Sequence, residues 1–229
     1  MPDRHNPAAL DPATTARHLV RTTAKSALAT LRGPHGAPFA SLVLVAADID
    51  ASPLLLLSAL AVHTKNLASD QRASLLFDGT GATGDPLNGG RVSLTGVIAS
   101  VAEPRMRSRY LRRHPSAEAF VGFGDFALYR MSVERAHLVQ GFGRIHEIEG
   151  ALGAPPGPDW AEEAAAVSAL NERLTTLGAA CRIAGLDPDG TDIVEAGSVG
   201  WVAFPEPAPT LAVALVFASD ELRRRGAAV

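Results

Sequence analysis

Cysteine is nearly absent from this sequence, which has only Cys181 among its 229 residues. A single thiol excludes a disulfide within the chain and any zinc cluster that requires several cysteines. Cys181 lies in an Ala-rich apolar segment, so we expect it to pack in a core. The sequence also lacks Ser-His-Asp and HExxH patterns, and no metal site is predicted.

Long apolar runs and a strong net charge are missing as well. The longest apolar runs, such as Leu54–Leu57 and Leu211–Ala218, are far shorter than the roughly 20 residues that a membrane span needs. The first residues (MPDRHNPAALDP) lack the apolar stretch of a secretory signal, so we expect a cytoplasmic protein. A net charge of -3 without a basic block argues against nucleic acid or a membrane as partner. Small molecules and other proteins remain as the expected partners.

Hydrophobic residues make up 47% of the chain, enough to build a core. Helical spacing predicts a helix over Pro12–Thr30, although strand character begins already at Ala27. Short helices are predicted at His63–Asp70, with Thr64 or a neighbour as cap, and at Pro104–His114, and a loop at Gly79–Gly90. Alternation and turn residues predict five strands at Ala27–Leu31, Phe39–Ala46, Leu54–Ser58, Ala73–Phe77 and Arg91–Val101. Strand character then returns over Asp125–Val133 and Ala136–Ile148, counted here as a sixth strand, with Gly141 and Gly143 permitting a bend. We therefore expect an α+β fold whose N-terminal domain, residues 1–149, is a six-stranded antiparallel barrel.

The Gly- and Pro-rich segment Gly150–Pro158 predicts a linker over residues 150–158, followed by a small α+β domain over residues 159–229. Within that domain the patterns predict a helix, a turn, a β-like segment and a final helix at Trp160–Leu177, Asp187–Gly190, Ile193–Phe204 and Thr210–Arg225. The charged groups Glu162-Glu163 and Arg223–Arg225 are predicted to lie on solvated helix faces.

Several segments resemble a known family when they are taken in order: PFASLVLVAADID, LLLLSALAVHTKNL, SDQRASLLF and GGRVSLTGVIASV. In sequence and spacing they are similar to the FMN-binding split-barrel family, whose best-known member is pyridoxamine 5′-phosphate oxidase. Further segments, YLRRHPSAEAF, GFGDFALYRM and GFGRIHEI, resemble the haem-utilisation (HugZ-like) subgroup with a C-terminal module. The resemblance spans nearly the whole chain, and its strength lies in collinearity rather than in one motif.

The resemblance implies an FMN site and names its residues. His63, Thr64, Lys65 and Asn66 open a short helix after a strand, where helix amides, a hydroxyl and an ammonium group can meet a phosphate. His63 replaces an arginine of the family, which weakens such a clamp at neutral pH. By the same resemblance, the backbone at Ser58 and Ala59 meets the flavin, Ser41 and Leu42 flank its ring, and Arg91 meets the cofactor edge.

Each of these residues also has a plain structural interpretation. A polar run at a helix start is more often a solvated cap, Arg91 is typical of an exposed strand edge, and Ser58 of a strand end. Two departures argue against true pyridoxamine-phosphate oxidation: the C-terminal Arg-x-His substrate motif is absent, and His114 stands where the family has a substrate-phosphate arginine.

The resemblance therefore implies an FMN-dependent oxidoreductase of unknown small-molecule substrate, in which the flavin accepts hydride and the protein supplies orientation and electrostatics. The resemblance implies a homodimer with the cofactor site at its interface. A haem-binding or haem-utilisation protein on the same fold is the alternative, and an inactive relative is a third. Haem needs an axial ligand, and the histidines weighed for that role are His5, His18, His35, His114, His137 and His146.

Overall fold

The computed structural model describes residues 11–82, 85–153, 157–196 and 198–227. Its helices are α1 (Pro12–Thr22), α2 (Val62–Ser69), α3 (Pro104–Arg113), α4 (Glu163–Thr176) and α5 (Leu211–Arg224). Its strands are β1 (Lys25–Arg32), β2 (Ala37–Leu44), β3 (Ala46–Ala47), β4 (Pro53–Ser58), β5 (Arg72–Asp78), β6 (Gly90–Ser100), β7 (Phe126–Gln140), β8 (Ile145–Glu149), β9 (Cys181–Asp187), β10 (Gly190–Glu195) and β11 (Ser198–Ala203). In this part of the chain, no helix is long and apolar enough to cross a bilayer.

The larger sheet is antiparallel and curls into a half-barrel. Its strands lie in the order β2-β1-β5-β6-β7-β4-β3, and β8 pairs with β7. The sheet thus has eight strands and not the six predicted, because a two-residue strand, β3, extends one edge and β8 returns along β7. The α+β class and the curled antiparallel sheet agree with the predicted split barrel. A core of mostly aliphatic side chains fills the inside of the curl.

The first helix is shorter than predicted. Asp11 caps it by accepting a hydrogen bond from the amide of Thr14 at 3.2 Å, and it ends at Thr22 instead of Thr30. From Lys25 onward the side chains alternate between exposed and buried, and the period of two favours a strand over a helix. The segment up to Thr30 therefore belongs to β1, as its apolar alternation indicated.

The long strand β7 merges two segments of predicted strand character. The predicted break near Val133 is a β-bulge at Glu134, where the register with β6 shifts between Thr95 and Gly96. A β-carbon on Gly96 would lie 2.0 Å from the carbonyl oxygen of Ser132, so only glycine permits this approach. The turn comes later, where Gly141 and Gly143 have positive φ angles of +96° and +77°.

Residues 158–227, here named the C-terminal module, contain a separate antiparallel sheet of order β11-β10-β9 packed against α4 and α5. The structure has β9, which the sequence patterns did not predict, and it splits the predicted segment Ile193–Phe204 between β10 and β11. The predicted turn at Asp187–Gly190 joins β9 to β10. The predicted linker is described only in part, and in it Leu152 is buried in the barrel core. The domain boundary at 150–158 stays a prediction.

One charged residue that was predicted to be exposed is buried. Glu163 is fully buried where α4 meets α3, and Arg109 and Arg112 bind its carboxylate. The adjacent Glu162 is exposed, as predicted. Two neighbouring glutamates of one helix start thus have opposite environments, and only tertiary contacts distinguish them.

Candidate functional site

A small depression, here named the slot, opens at the edge of the half-barrel between β2, β4 and the start of α2. Its volume is about 270 Å³. Most of its wall is aliphatic or aromatic, and its polar groups come from a histidine, a serine and a tyrosine. The lining residues are Leu42, Val43, Leu44, Leu56, Leu57, Ser58, Ala61, His63, Tyr110, Phe120 and Phe126. The slot therefore brings together Leu42, Ser58 and His63 of the predicted site.

His63 is the polar side chain best placed for chemistry in the slot. Its Nδ1 atom lies 3.1 Å from the hydroxyl oxygen of Ser41, another predicted site residue. Burial lowers the pKa of His63 below its usual value, so the imidazole is neutral at neutral pH. Among the described residues, no group bonds its Nε2 atom. A neutral imidazole with one nitrogen held and the other free has the form of a metal ligand.

The N-terminus of α2 offers donors to an anion. Its cap residue Ala61 provides no side-chain hydrogen bond, so first-turn amides stay available. Thr64, predicted as a possible cap, instead buries its side chain, and its hydroxyl has no partner within the described chain. An unpaired buried hydroxyl costs about 1–3 kcal/mol, so a ligand atom or a water molecule is expected beside it.

The remaining predicted residues of this segment face other ways. Lys65 is exposed to solvent. Asn66 is buried, and its side-chain amide donates to the hydroxyl of Thr30 at 2.9 Å. In this structure Asn66 links α2 to β1, and Lys65 is not among the residues that line the slot.

Ser58 and Ala59 both form hydrogen bonds with Asp125. The Ser58 hydroxyl donates to the Asp125 carboxylate at 2.5 Å, and the Ala59 amide donates to the Asp125 carbonyl at 2.7 Å. The same serine oxygen accepts from the amide of Leu60 at 3.1 Å. These bonds shape the turn that leads from β4 into α2, and so they fix where the helix points.

Arg91 does not join the slot within one subunit. It lies on β6, which the two strands β1 and β5 separate from β2, and it pairs in register with Asp78 and Val139. Its guanidinium group approaches the carbonyl oxygen of Gly89 at 3.5 Å. Arg91 and His63 can therefore belong to one site only across an interface between two copies.

Three other histidines are engaged elsewhere. His114 is buried and donates from Nε2 to the Val45 carbonyl at 2.7 Å. The ring of His18 lies 4.8 Å from that of Trp201, and His137 bonds Glu147 on the surface. None of these rings lines the slot.

Large apolar side chains are exposed in the slot wall and at the sequence neighbours of its residue Ala61. Leu42 is 70% exposed and Leu60 is 74% exposed, and Leu44 and Val62 are also exposed. Isolated surface leucines are ordinary, but a group around an apolar depression marks a binding or interaction site.

A model of the CREG β-barrel family matches residues 7–155 of this chain. The chain belongs to the CREG β-barrel family. Among its relatives, the non-canonical heme oxygenase HOZ of Arabidopsis thaliana chloroplasts is 40% identical in an alignment of 111 residues that covers 46% of this chain and 33% of that protein. The chain thus spans about a third of the length of this curated relative.

Solved structures share the fold over nearly the whole chain. A protein of unknown function from Agrobacterium tumefaciens is 24% identical, with a TM-score of 0.73, over 97% of this chain and 98% of its own. A heme-binding protein from Mycobacterium smegmatis is 26% identical, with a TM-score of 0.60, over 95% of this chain and 99% of its own. Both matches extend beyond the CREG β-barrel region, so the C-terminal module is part of the shared architecture. The haem-utilisation subgroup itself stays a prediction.

The aromatic wall of this CREG-family slot was missed by sequence reasoning. Tyr110 reaches it from α3, while Phe120 and Phe126 pack on each other with ring centroids 4.9 Å apart. The run FVGFGDF, with three phenylalanines in seven residues, was the available signal. Aromatic residues are only 5% of this chain, so such a cluster is unusual.

Proposed function

We propose that this protein binds haem in the slot, with Nε2 of His63 as the ligand of the iron. The observation that carries the proposal is the neutral, partly buried imidazole of His63, whose second nitrogen is free at an apolar wall. The heme oxygenase relative and the heme-binding structural neighbour support haem as the ligand. By analogy with that oxygenase, we propose haem degradation as the activity.

The protein's own groups would prepare the histidine for this role. Iron binding at Nε2 requires that the imidazole proton be on Nδ1, which then donates to the Ser41 hydroxyl 3.1 Å away. Such a bond fixes the ring's tautomer and orientation. Bound haem would supply an iron centre, and its chemistry would depend on the histidine ligand, on the hydrogen bonds of that histidine and on the polarity of the pocket. Leu42, Phe120 and Phe126 would exclude water from the slot.

FMN is the second candidate, and the unpaired Thr64 hydroxyl is the observation that favours it. Together with the first-turn amides of α2, this hydroxyl suits a phosphate oxygen. The chain would then be the predicted flavin-dependent oxidoreductase. Against FMN stands the lowered pKa of His63, which removes a cation from the phosphate clamp. That same property is what iron ligation needs, so we place haem first.

A second copy of the chain would complete the site in either case. A slot of about 270 Å³ is smaller than the roughly 300–1,000 Å³ of common ligand pockets. Its rim leaves Leu42 and Leu60 uncovered, and Arg91 lies too far away within one subunit. We therefore propose a homodimer in which each slot is covered by the partner.

Absorbance titrations with haemin and with FMN test the proposal. The wild type is expected to give a saturable Soret band, and His63→Ala to lose at least about tenfold in haemin affinity. Thr64→Val, which removes the hydroxyl at nearly constant volume, should leave haemin binding intact and weaken any FMN binding. His137→Ala is the matched control, because His137 lies on the surface away from the slot. Equal haemin affinity of His63→Ala and His137→Ala would rule out His63 as the ligand.

A further inference from the structure

The helix α3 is shared between the slot and the C-terminal module. On one side Tyr110 is 3% exposed, lines the slot and hydrogen-bonds the backbone of Leu56, which is another slot residue. The chain then passes through a short 3-10 turn, Pro115–Ala119, to Phe120 at the slot wall. The position of α3 therefore sets the position of the aromatic wall.

The other side of α3 carries arginines that enter the C-terminal module. Arg109 is 1% exposed and donates to the Glu163 carboxylate at 3.0 Å and to the Leu186 carbonyl at 2.7 Å. Arg112 donates to both oxygens of the same carboxylate at 3.1 Å and to the Ala184 carbonyl at 2.7 Å. Glu163 also accepts from the amide of Leu186 at 3.1 Å. One buried carboxylate thus joins α3, α4 and β9.

The backbone of β9 is fitted closely to this arrangement. A β-carbon on Gly185 would lie 2.9 Å from the guanidinium nitrogen Nη1 of Arg109. Arg109 also donates to the Ala47 carbonyl in the barrel at 2.6 Å. Its guanidinium group is therefore held from both parts of the molecule, and α3 has little freedom to rotate while Glu163 is in place.

A second ion pair joins the C-terminal module to the barrel without contact with the slot. Arg17 on α1 binds both carboxylate oxygens of Asp189, at 2.8 and 3.0 Å, and donates to the Leu152 carbonyl at 3.0 Å. Its side chain is 16% exposed and that of Arg112 is 15% exposed. The two arginines thus have the same kinds of partners and the same burial, but only Arg112 acts on α3.

We propose that the C-terminal module positions the slot wall through Glu163, with Arg109 and Arg112 as positioning residues for the ligand site. Loss of this carboxylate contact loosens α3 at Arg109 and Arg112, while Arg113 at the end of the same helix still binds Asp192 at 2.8 Å. The resulting displacement reaches Tyr110, the residue next to Arg109, and then Phe120. A rigid helix transmits such a shift without any contact between Glu163 and the ligand. The proposal rests on the proposed function for the identity of the ligand, but its structural step is measurable without one.

The test compares Arg112→Gln with Arg17→Gln in the full-length protein. Both variants should lose similar unfolding stability, which urea titration measures. Arg112→Gln is expected to weaken haemin binding about fivefold to tenfold and to shift the Soret maximum, whereas Arg17→Gln should stay within about twofold of wild type. Equal effects of the two variants on the ligand, or no effect of either, would overturn the proposal.

Hydrogen–deuterium exchange separates this inference from the proposed function. In Arg112→Gln, amides of β4 and of residues 115–120 should exchange faster, while in Arg17→Gln the increase should be confined to α1 and its neighbours. If wild type binds neither haemin nor FMN, the proposed function fails, and this exchange pattern alone decides the positioning role. Uniform acceleration in both variants would refute it.

Discussion

Replacing the buried Glu163 with glutamine should destabilise the protein severely. Glutamine keeps the shape and one acceptor oxygen but removes the charge that Arg109 and Arg112 bind. The surrounding network joins five arginines to four carboxylates: Arg17, Arg21, Arg109, Arg112 and Arg113, with Glu163, Asp187, Asp189 and Asp192. The network already has an excess of one positive charge, and Glu163→Gln raises it to two in a region shielded from water.

Breaking a buried pair from one side costs about 3–5 kcal/mol, because the partner charge stays behind. With a urea dependence of about 2 kcal/mol per M, the midpoint should fall by about 2 M. Both tryptophans, Trp160 and Trp201, lie in the C-terminal module, so fluorescence reports on that module and circular dichroism on the whole sheet structure. Glu162→Gln is the matched control and should stay within about 0.5 kcal/mol of wild type. A loss below about 1 kcal/mol for Glu163→Gln would show that the network does not depend on this charge.

Three further outcomes test other parts of the structure. Haemin affinity should be constant above about pH 7 and fall on acidification, because protonation of His63 blocks its Nε2 atom. Since burial lowers the pKa of His63, the midpoint of this fall should lie below the ordinary 6.5. A midpoint above 6.5 would contradict the burial argument. Gly96→Ala should cost about 1–3 kcal/mol or more in thermal or urea unfolding, since its β-carbon would meet Ser132, whereas Gly122→Ala, with open space around it, should be nearly neutral. Burial raises the pKa of Tyr110 to about 12, so an ultraviolet titration of the chain's two tyrosines should leave one un-ionised until near pH 12, and Tyr110→Phe should abolish that late step.

The sequence predicted the elements whose signals are local. The alternation of β6 is visible in the side chains themselves, and the final helix begins at its cap Thr210, which accepts from the amide of Val213 at 3.4 Å. The strand β9 was missed because nearly every one of its residues is buried, and a strand covered on both faces shows no alternation. The burial of Glu163 was missed because its partner Arg109 lies 54 residues away.

The candidate site could be predicted in part for a similar reason. Collinearity with a family placed Ser41, Leu42, Ser58 and His63, and the structure gathers these four around the slot. Collinearity holds no information on which strands are neighbours, so the distance of Arg91 from the slot could not be foreseen. Nor could it show that Thr64 is buried and Lys65 exposed, since that depends on where α2 begins.

The choice between haem and FMN comes down to the charge of one side chain. Both ligands combine a flat apolar body with anionic groups, and both suit an apolar slot beside a helix N-terminus. An arginine at position 63 would carry a permanent charge for a phosphate, but His63 is partly buried and neutral. A neutral imidazole adds no positive charge to a phosphate site, but its free nitrogen can ligate iron. Because Ser41 holds the Nδ1 atom of His63, the Nε2 atom is the nitrogen free to bind a ligand. A His63→Arg variant should therefore exchange haemin affinity for FMN affinity.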